Sequence, residues 1–106
     1  MKVLDFNIVG QTITRDPLCD FSGLVAGSRG YLHARFHFSA DWAGCKKVAI
    51  FYGTGEPCPV PLRHNTCEIP AEALTCAAVQ VRVVGRRPGF DISTDKASFP
   101  QKPIIK

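Results

Sequence analysis

The sequence predicts an all-β sandwich, on three observations. Apolar and polar residues alternate with a period of two in several separate segments, the pattern of strands with one wet and one buried face. Turn-forming glycines, prolines and aspartates punctuate those segments roughly every eight to twelve residues. No 3.6-residue periodicity runs long enough to build a helix layer. Together these give about seven to eight strands and at most one short helical turn. The chain of 106 residues suffices for one domain with a real core, set at residues 1–99, with 100–106 as a short C-terminal tail.

The first segment, Val3 to Ile13, puts Leu4, Phe6 and Ile8 on one face and Asp5 and Asn7 on the other. Gly10-Gln11 interrupts it as a turn or bulge, and Thr12-Ile13-Thr14 resumes an extended path. Arg15-Asp16-Pro17 ends it, because a residue before proline avoids the helical region and proline has no N–H for a ladder. A short strand is expected at Leu18 to Phe21, followed by a glycine-rich loop to Gly30. Tyr31 to Phe38 alternates most cleanly, with Leu32, Ala34, Phe36 and Phe38 facing in and Tyr31, His33, Arg35 and His37 facing out.

Phe38-Ser39-Ala40-Asp41-Trp42-Ala43-Gly44 then turns a corner around the only tryptophan. Aromatic strands flank it on both sides, so Trp42, Phe36, Phe38 and Phe51 are expected to anchor the core. Val48 to Tyr52 is a continuous apolar run suited to a strand in mid-sheet or buried on both sides. Pro57, Pro59 and Pro61 restrict the next segment to an edge or an irregular crossing. A weak strand at Thr66 to Ile69 leads to a helical turn at Pro70 to Leu74. Ala77 to Val84 alternates with Val79, Val81 and Val83 inward, Gly85 to Gly89 makes the hairpin turn, and Phe90 to Thr94 returns beside it. Ala97 to Phe99 extends that last strand.

Composition bounds the class of protein. Apolar residues are 45% and charged residues 21%, ordinary for a globular chain, and no apolar run approaches the ~20 residues of a membrane span. Asp5 and Asn7 interrupt the apolar start, which does not read as a secretory signal, so a cytoplasmic site of synthesis and folding is expected. Five cysteines cannot all pair within one chain, and in that compartment they are expected to be buried reduced thiols. The net charge of +4 is spread thinly, with pairs only at Lys46-Lys47 and Arg86-Arg87, which disfavours a nucleic-acid partner.

No catalytic constellation emerges. His33 and His37 share a face but lie about 13 Å apart in a strand, too far to hold one ion together. The cysteines stand nine or more positions apart, without the paired spacing of a zinc cage. Cys58 or Cys67 near His64 makes no recognisable nucleophile motif, and the carboxylates Asp41, Glu56, Glu68 and Glu72 read as solvated turn residues. No catalytic residue, cofactor or metal ligand is assigned, and the chain is read as a non-enzyme. The outward face Tyr31, His33, Arg35 and His37 is the candidate partner-contact surface, since Tyr and Arg recur as interface anchors.

Five short motifs in order carry a family resemblance: Phe38 to Gly44, Lys47 to Phe51, Cys67 to Leu74, Val81 to Gly85, and Ile92 to Thr94. They resemble the immunoglobulin-like domain of bacteriophage virion proteins, similar to the N-terminal domain of phage baseplate upper proteins and of head-fibre proteins. The resemblance spans the chain from the Tyr31 strand to Thr94. It implies an immunoglobulin-like sandwich, a structural role without catalysis or cofactor, and docking onto other virion proteins, whether capsid or tail subunits. It places Trp42 and Phe51 in the core. No stalk or coiled coil follows the last strand, so the expectation is a free-standing decoration or accessory subunit of the virion, assembled in the host bacterial cytoplasm. Self-association through an extended Pro100–Lys106 arm is left open. The alternative functions are a free-standing module that binds a glycan or host protein through its loops, and a weak nucleic-acid binder acting through Arg86 and Arg87.

Overall fold

A computed structural model describes residues 1–103 and consists of two packed β-sheets. Nine strands are formed among the described residues: β1 (Lys2–Val9), β2 (Thr12–Arg15), β3 (Leu32–Phe38), β4 (Lys46–Tyr52), β5 (Cys58–Pro61), β6 (Thr66–Glu68), β7 (Ala78–Arg87), β8 (Phe90–Ser93) and β9 (Ala97–Pro100). The first sheet runs β2-β1-β3-β6 and the second β5-β4-β7-β8, with β9 also on β7. All pairings between these strands are antiparallel except β1 with β3, which run parallel in the register Leu4↔Ala34, Phe6↔Phe36, Ile8↔Phe38.

The alternation in the sequence becomes the inner faces of these sheets. Leu4, Phe6, Ile8, Leu32, Ala34 and Phe36 from the first sheet meet Ala49, Phe51, Val79, Val81, Val83 and Phe99 from the second, all essentially inaccessible to water. Phe6 sits at the centre, stacked on Phe36 at 5.5 Å and edge-on to Phe21 at 5.4 Å. Aromatic geometry of this kind adds roughly 0.5–1.5 kcal/mol to area burial for each pair.

The Trp42 corner joins the sheets at one end. A single 3-10 turn, Ala40–Trp42, drops the indole into the core, where it packs against Phe38 at 5.1 Å. Its Nε1–H donates to the Gly10 carbonyl at the tip of the β1–β2 hairpin, at 2.8 Å. On the opposite sheet the ring lies over Gly85 of β7. A Cβ at that position would stand 2.7 Å from Cζ3 of the ring, closer than real Cβ atoms approach. Glycine here is a notch cut for the indole. Arg87 closes the corner from outside, donating from Nη1 to the carbonyls of Asp41 at 3.1 Å and Ala43 at 2.8 Å while its guanidinium covers the Phe90 ring.

At the other end, the loop between β2 and β3 is sewn to the C-terminal segment. Lys102 N–H donates to Leu24 O and Ala26 N–H to Lys102 O, both at 2.8 Å, and Gly27 N–H donates to Leu74 O at 2.7 Å. Gln101 is buried and donates from Nε2 to the carbonyls of Leu74 and Cys76. The exposed edges are managed as well. Pro59 and Pro61 blunt β5, and the Asp95 carboxylate accepts the Ile13 N–H from β2 at 2.9 Å.

Several expectations need correction. Among the described residues there are nine strands rather than seven or eight, and two 3-10 turns rather than one, at Ala40–Trp42 and Ala71–Ala73. Leu18 to Phe21 is not a strand. The Asp16 carboxylate accepts the Leu18 N–H at 2.8 Å, so the chain turns after Pro17, Leu18 points into solvent, and Phe21 still reaches the core. The second hairpin turn is tighter than expected: β7 continues through Gly85, Arg86 and Arg87, and the turn itself is Pro88-Gly89. Ala97–Pro100 lies along the same edge of β7 as β8, but as a separate strand after a break at Thr94 to Lys96. Val48 to Tyr52 is in mid-sheet with one face buried, while Val48, Ile50 and Tyr52 stay partly open.

Phe36, Trp42 and Phe51 are fully buried core residues, whereas Phe38 sits at the rim with the Lys47 ammonium over its open side. The packed body also continues past residue 99, since Pro100 belongs to β9, Gln101 is buried and Lys102 bridges to Val25. The rest of the expected tail, residues 104–106, lies outside the described residues. None of the five cysteines pairs, but only Cys67 is buried; the other four are partly exposed.

Candidate functional site

The outward face of the first sheet joins two of the four candidate residues, Arg35 and His37, through Asp5, and leaves Tyr31 and His33 outside that contact. Leu32, Ala34 and Phe36 point into the core, so strand geometry sends His33, Arg35 and His37 the other way. The parallel register sets Val3 beside His33, Asp5 beside Arg35 and Asn7 beside His37. On the other flank β6 sets Glu68 beside His33 and Thr66 beside Arg35. Tyr31 precedes the strand, half exposed, with its carbonyl accepting the Lys2 N–H at 2.8 Å.

Asp5 organises this face. Its Oδ1 accepts from Arg35 Nε at 2.6 Å and its Oδ2 from Arg35 Nη2 at 3.3 Å, a two-point clamp on the guanidinium plane. His37 Nε2 lies 3.0 Å from the same Oδ1 and donates to it whenever that nitrogen carries the proton. The Arg35 hydrogen bond, outweighing the desolvation that opposes it, holds the Asp5 carboxyl below its ordinary value, with His37 adding to the effect. Arg35 is raised in return by Asp5. The ion pair is mostly at the surface, where such pairs add at most about 1 kcal/mol. Its main effect is geometric: the Arg35 guanidinium and the His37 imidazole are aligned on one carboxylate.

Both oxygens of Asp5 are engaged, by Arg35 and His37. The other candidates are dispersed. Among the described residues no three His, Cys, Asp or Glu side chains are placed to hold a metal ion. His64 and Asn65 occupy a tight turn with φ of 53° and 61°, closed by the Arg63–Thr66 bridge. Burial pushes the Cys67 thiol up to about 12 and also raises Cys58, where Glu72 adds to the effect.

Arg86 and Arg87 do not act as a pair. Arg86 faces outward to Asp91 at 2.8 Å, and Arg87 turns back onto the Trp42 corner. Sequence reasoning placed Asp5 on the wet face of its strand but did not join it to Arg35. That contact depends on β1 and β3 lying side by side in parallel, a pairing between segments far apart in the chain. Comparisons with protein-family models, curated proteins and solved structures found no match.

Proposed function

We propose that this chain is a non-enzymatic structural protein of a bacteriophage particle, an immunoglobulin-like decoration or accessory subunit attached to the capsid or to the tail and baseplate. Support comes from the ordered motifs that resemble those of phage virion domains and, above all, from the Asp5-clamped face. Arg35 and His37 share the Asp5 carboxylate before any partner arrives, and Tyr31 is half exposed just before the start of the same strand. An arginine already aligned by Asp5 loses less entropy on docking, and an exposed tyrosine adds an interface anchor, which favours affinity for another virion subunit.

Particle incorporation tests the proposal. A tagged chain should co-purify with assembled particles from a producing culture, and the double substitution Tyr31→Ala, Arg35→Ala should lower its occupancy by roughly tenfold or more, while its far-UV spectrum stays that of the parent. Unchanged occupancy removes this face from the proposal. Binding to a glycan array without any binding to particles replaces the proposal with a free-standing sugar-binding module.

A further inference from the structure

The second sheet also has an outward face, and its chemistry is different. A row of apolar side chains crosses three strands there: Pro61 of β5 stands opposite Val48 of β4, and Val48 opposite Val84 of β7. Further along β4, Pro59 and Arg82 flank Ile50. Val48, Ile50 and Val84 are all partly open to solvent. Beside the row lies a shallow groove of about 540 Å³, lined in part by Gln11, Lys46, Val48, Arg82, Val84 and Arg86. A second groove shares its Lys46, Arg86 and Asp91 wall.

The charges on this face do not cancel. Lys46 stands directly opposite Arg86 in the ladder, and like charges in that position repel. Arg82 and Lys96 add two more cations, both gathered at Tyr52: Arg82 Nε donates to its hydroxyl at 2.7 Å and Lys96 Nζ lies 4.2 Å over its ring. Asp91 lines the same groove, exposed and already bonded to Arg86. Four cations therefore lie around the apolar row, against Asp91 within the groove and Asp41 in an adjoining groove that shares its Gln11 and Asp91.

We infer that the outer face of the β5-β4-β7-β8 sheet is a docking surface for an acidic protein surface that carries aliphatic side chains among its carboxylates. Carboxylates arriving between Lys46 and Arg86 would relieve their repulsion, and the aliphatic groups would cover Val48, Ile50 and Val84. A nucleic acid fits less well. Of the aromatic rings here, Tyr52 is capped on its face by Lys96 and tied at its hydroxyl by Arg82, and Phe90 in the second groove is covered on one face by Arg87, so neither offers an open stacking platform. An anionic bilayer fits less well too, because the aliphatic groups lie within the sheet face and none protrudes as an anchor. This inference does not depend on the virion reading.

An NMR titration of the isotope-labelled full chain tests it, using a synthetic peptide of glutamates interspersed with leucines. The peptide should shift amide signals of β4 and β7 and bind about tenfold tighter than a polyglutamate of equal charge, because only the former covers the apolar row. Lys46→Glu should weaken peptide binding by about tenfold while leaving thermal stability unchanged or higher, since the new carboxylate would face Arg86. Arg63→Glu, an equal charge change beside the His64 turn, should leave peptide binding within about twofold. Equal losses from the two substitutions would reduce the effect to net charge and overturn the inference. Tighter binding to a DNA duplex or to phosphatidylserine vesicles than to the peptide would overturn it as well, as would the absence of any peptide binding.

Discussion

The two ends of the sandwich are closed in different ways. At the Trp42 end, one large side chain reaches both sheets at once, with its indole N–H on Gly10 of the first and its ring over Gly85 of the second. At the Lys102 end, closure is by backbone hydrogen bonds between the 22–30 loop, the Leu74 turn and the C-terminal segment, with Gln101 filling the gap. One buried aromatic concentrates stabilisation in a single residue, because desolvated area and packing are lost together when it goes. A ladder of hydrogen bonds divides it among many groups, each contributing only about 1 kcal/mol net.

Removing the concentrated contact should have the largest effect. Trp42→Ala is expected to cost about 3–5 kcal/mol, enough to unfold much of a domain of this size, and a denaturant titration should show the loss as one global transition. Gln101→Ala should cost less, about 1–2 kcal/mol. It strips donors from the Leu74 and Cys76 carbonyls, but Gln101 also buries an Oε1 that has no partner among the described residues. Hydrogen exchange should show this opening locally, with the amides of Ala26 and Lys102 released first while β3 and β7 stay protected. A global transition as large as that of Trp42→Ala would erase the contrast between the ends.

The smallest effect belongs to the face between the ends. Because the folded Asp5 carboxyl titrates below the ordinary value of 3.8, its pairing with Arg35 adds stability that is complete above that pH. The contribution is lost as the pH falls from there through the lower folded value. Asp5→Asn should therefore flatten the acid limb of the stability–pH curve and leave stability near neutral pH lowered by no more than about 1 kcal/mol. Thermal melts of both proteins across the acid range measure it; parallel curves would remove Asp5 as the organiser of that face.

Legibility in the sequence followed the range of the interactions. Tyr31 to Phe38 could be read strand by face because alternation is a local property, and the same holds for Leu4 to Ile8 and Val79 to Val83. Trp42 could be read as an anchor because it lies between two aromatic strands in the chain. Gly85 looked like a turn residue, since a glycine before Arg-Arg-Pro-Gly gives no local sign that an indole from far earlier in the chain will lie on it. Leu18 to Phe21 failed for a local reason: the Asp16 side chain captures the next turn and outweighs the apolar content of the segment.

The sequence by itself determined that the chain would be mostly strands, which face of β1, β3 and β7 would be buried, and that Trp42 would sit inside, because period-two patterning and aromatic content act over a few residues. Tertiary structure alone decided the parallel β1–β3 pair, the Asp5 clamp on Arg35 and His37, the notch at Gly85, and the opposition of Lys46 to Arg86. Each of these is a meeting of segments far apart in the chain. Which strands become neighbours is settled by the packing of the whole core, and the character of both outward faces follows from that choice.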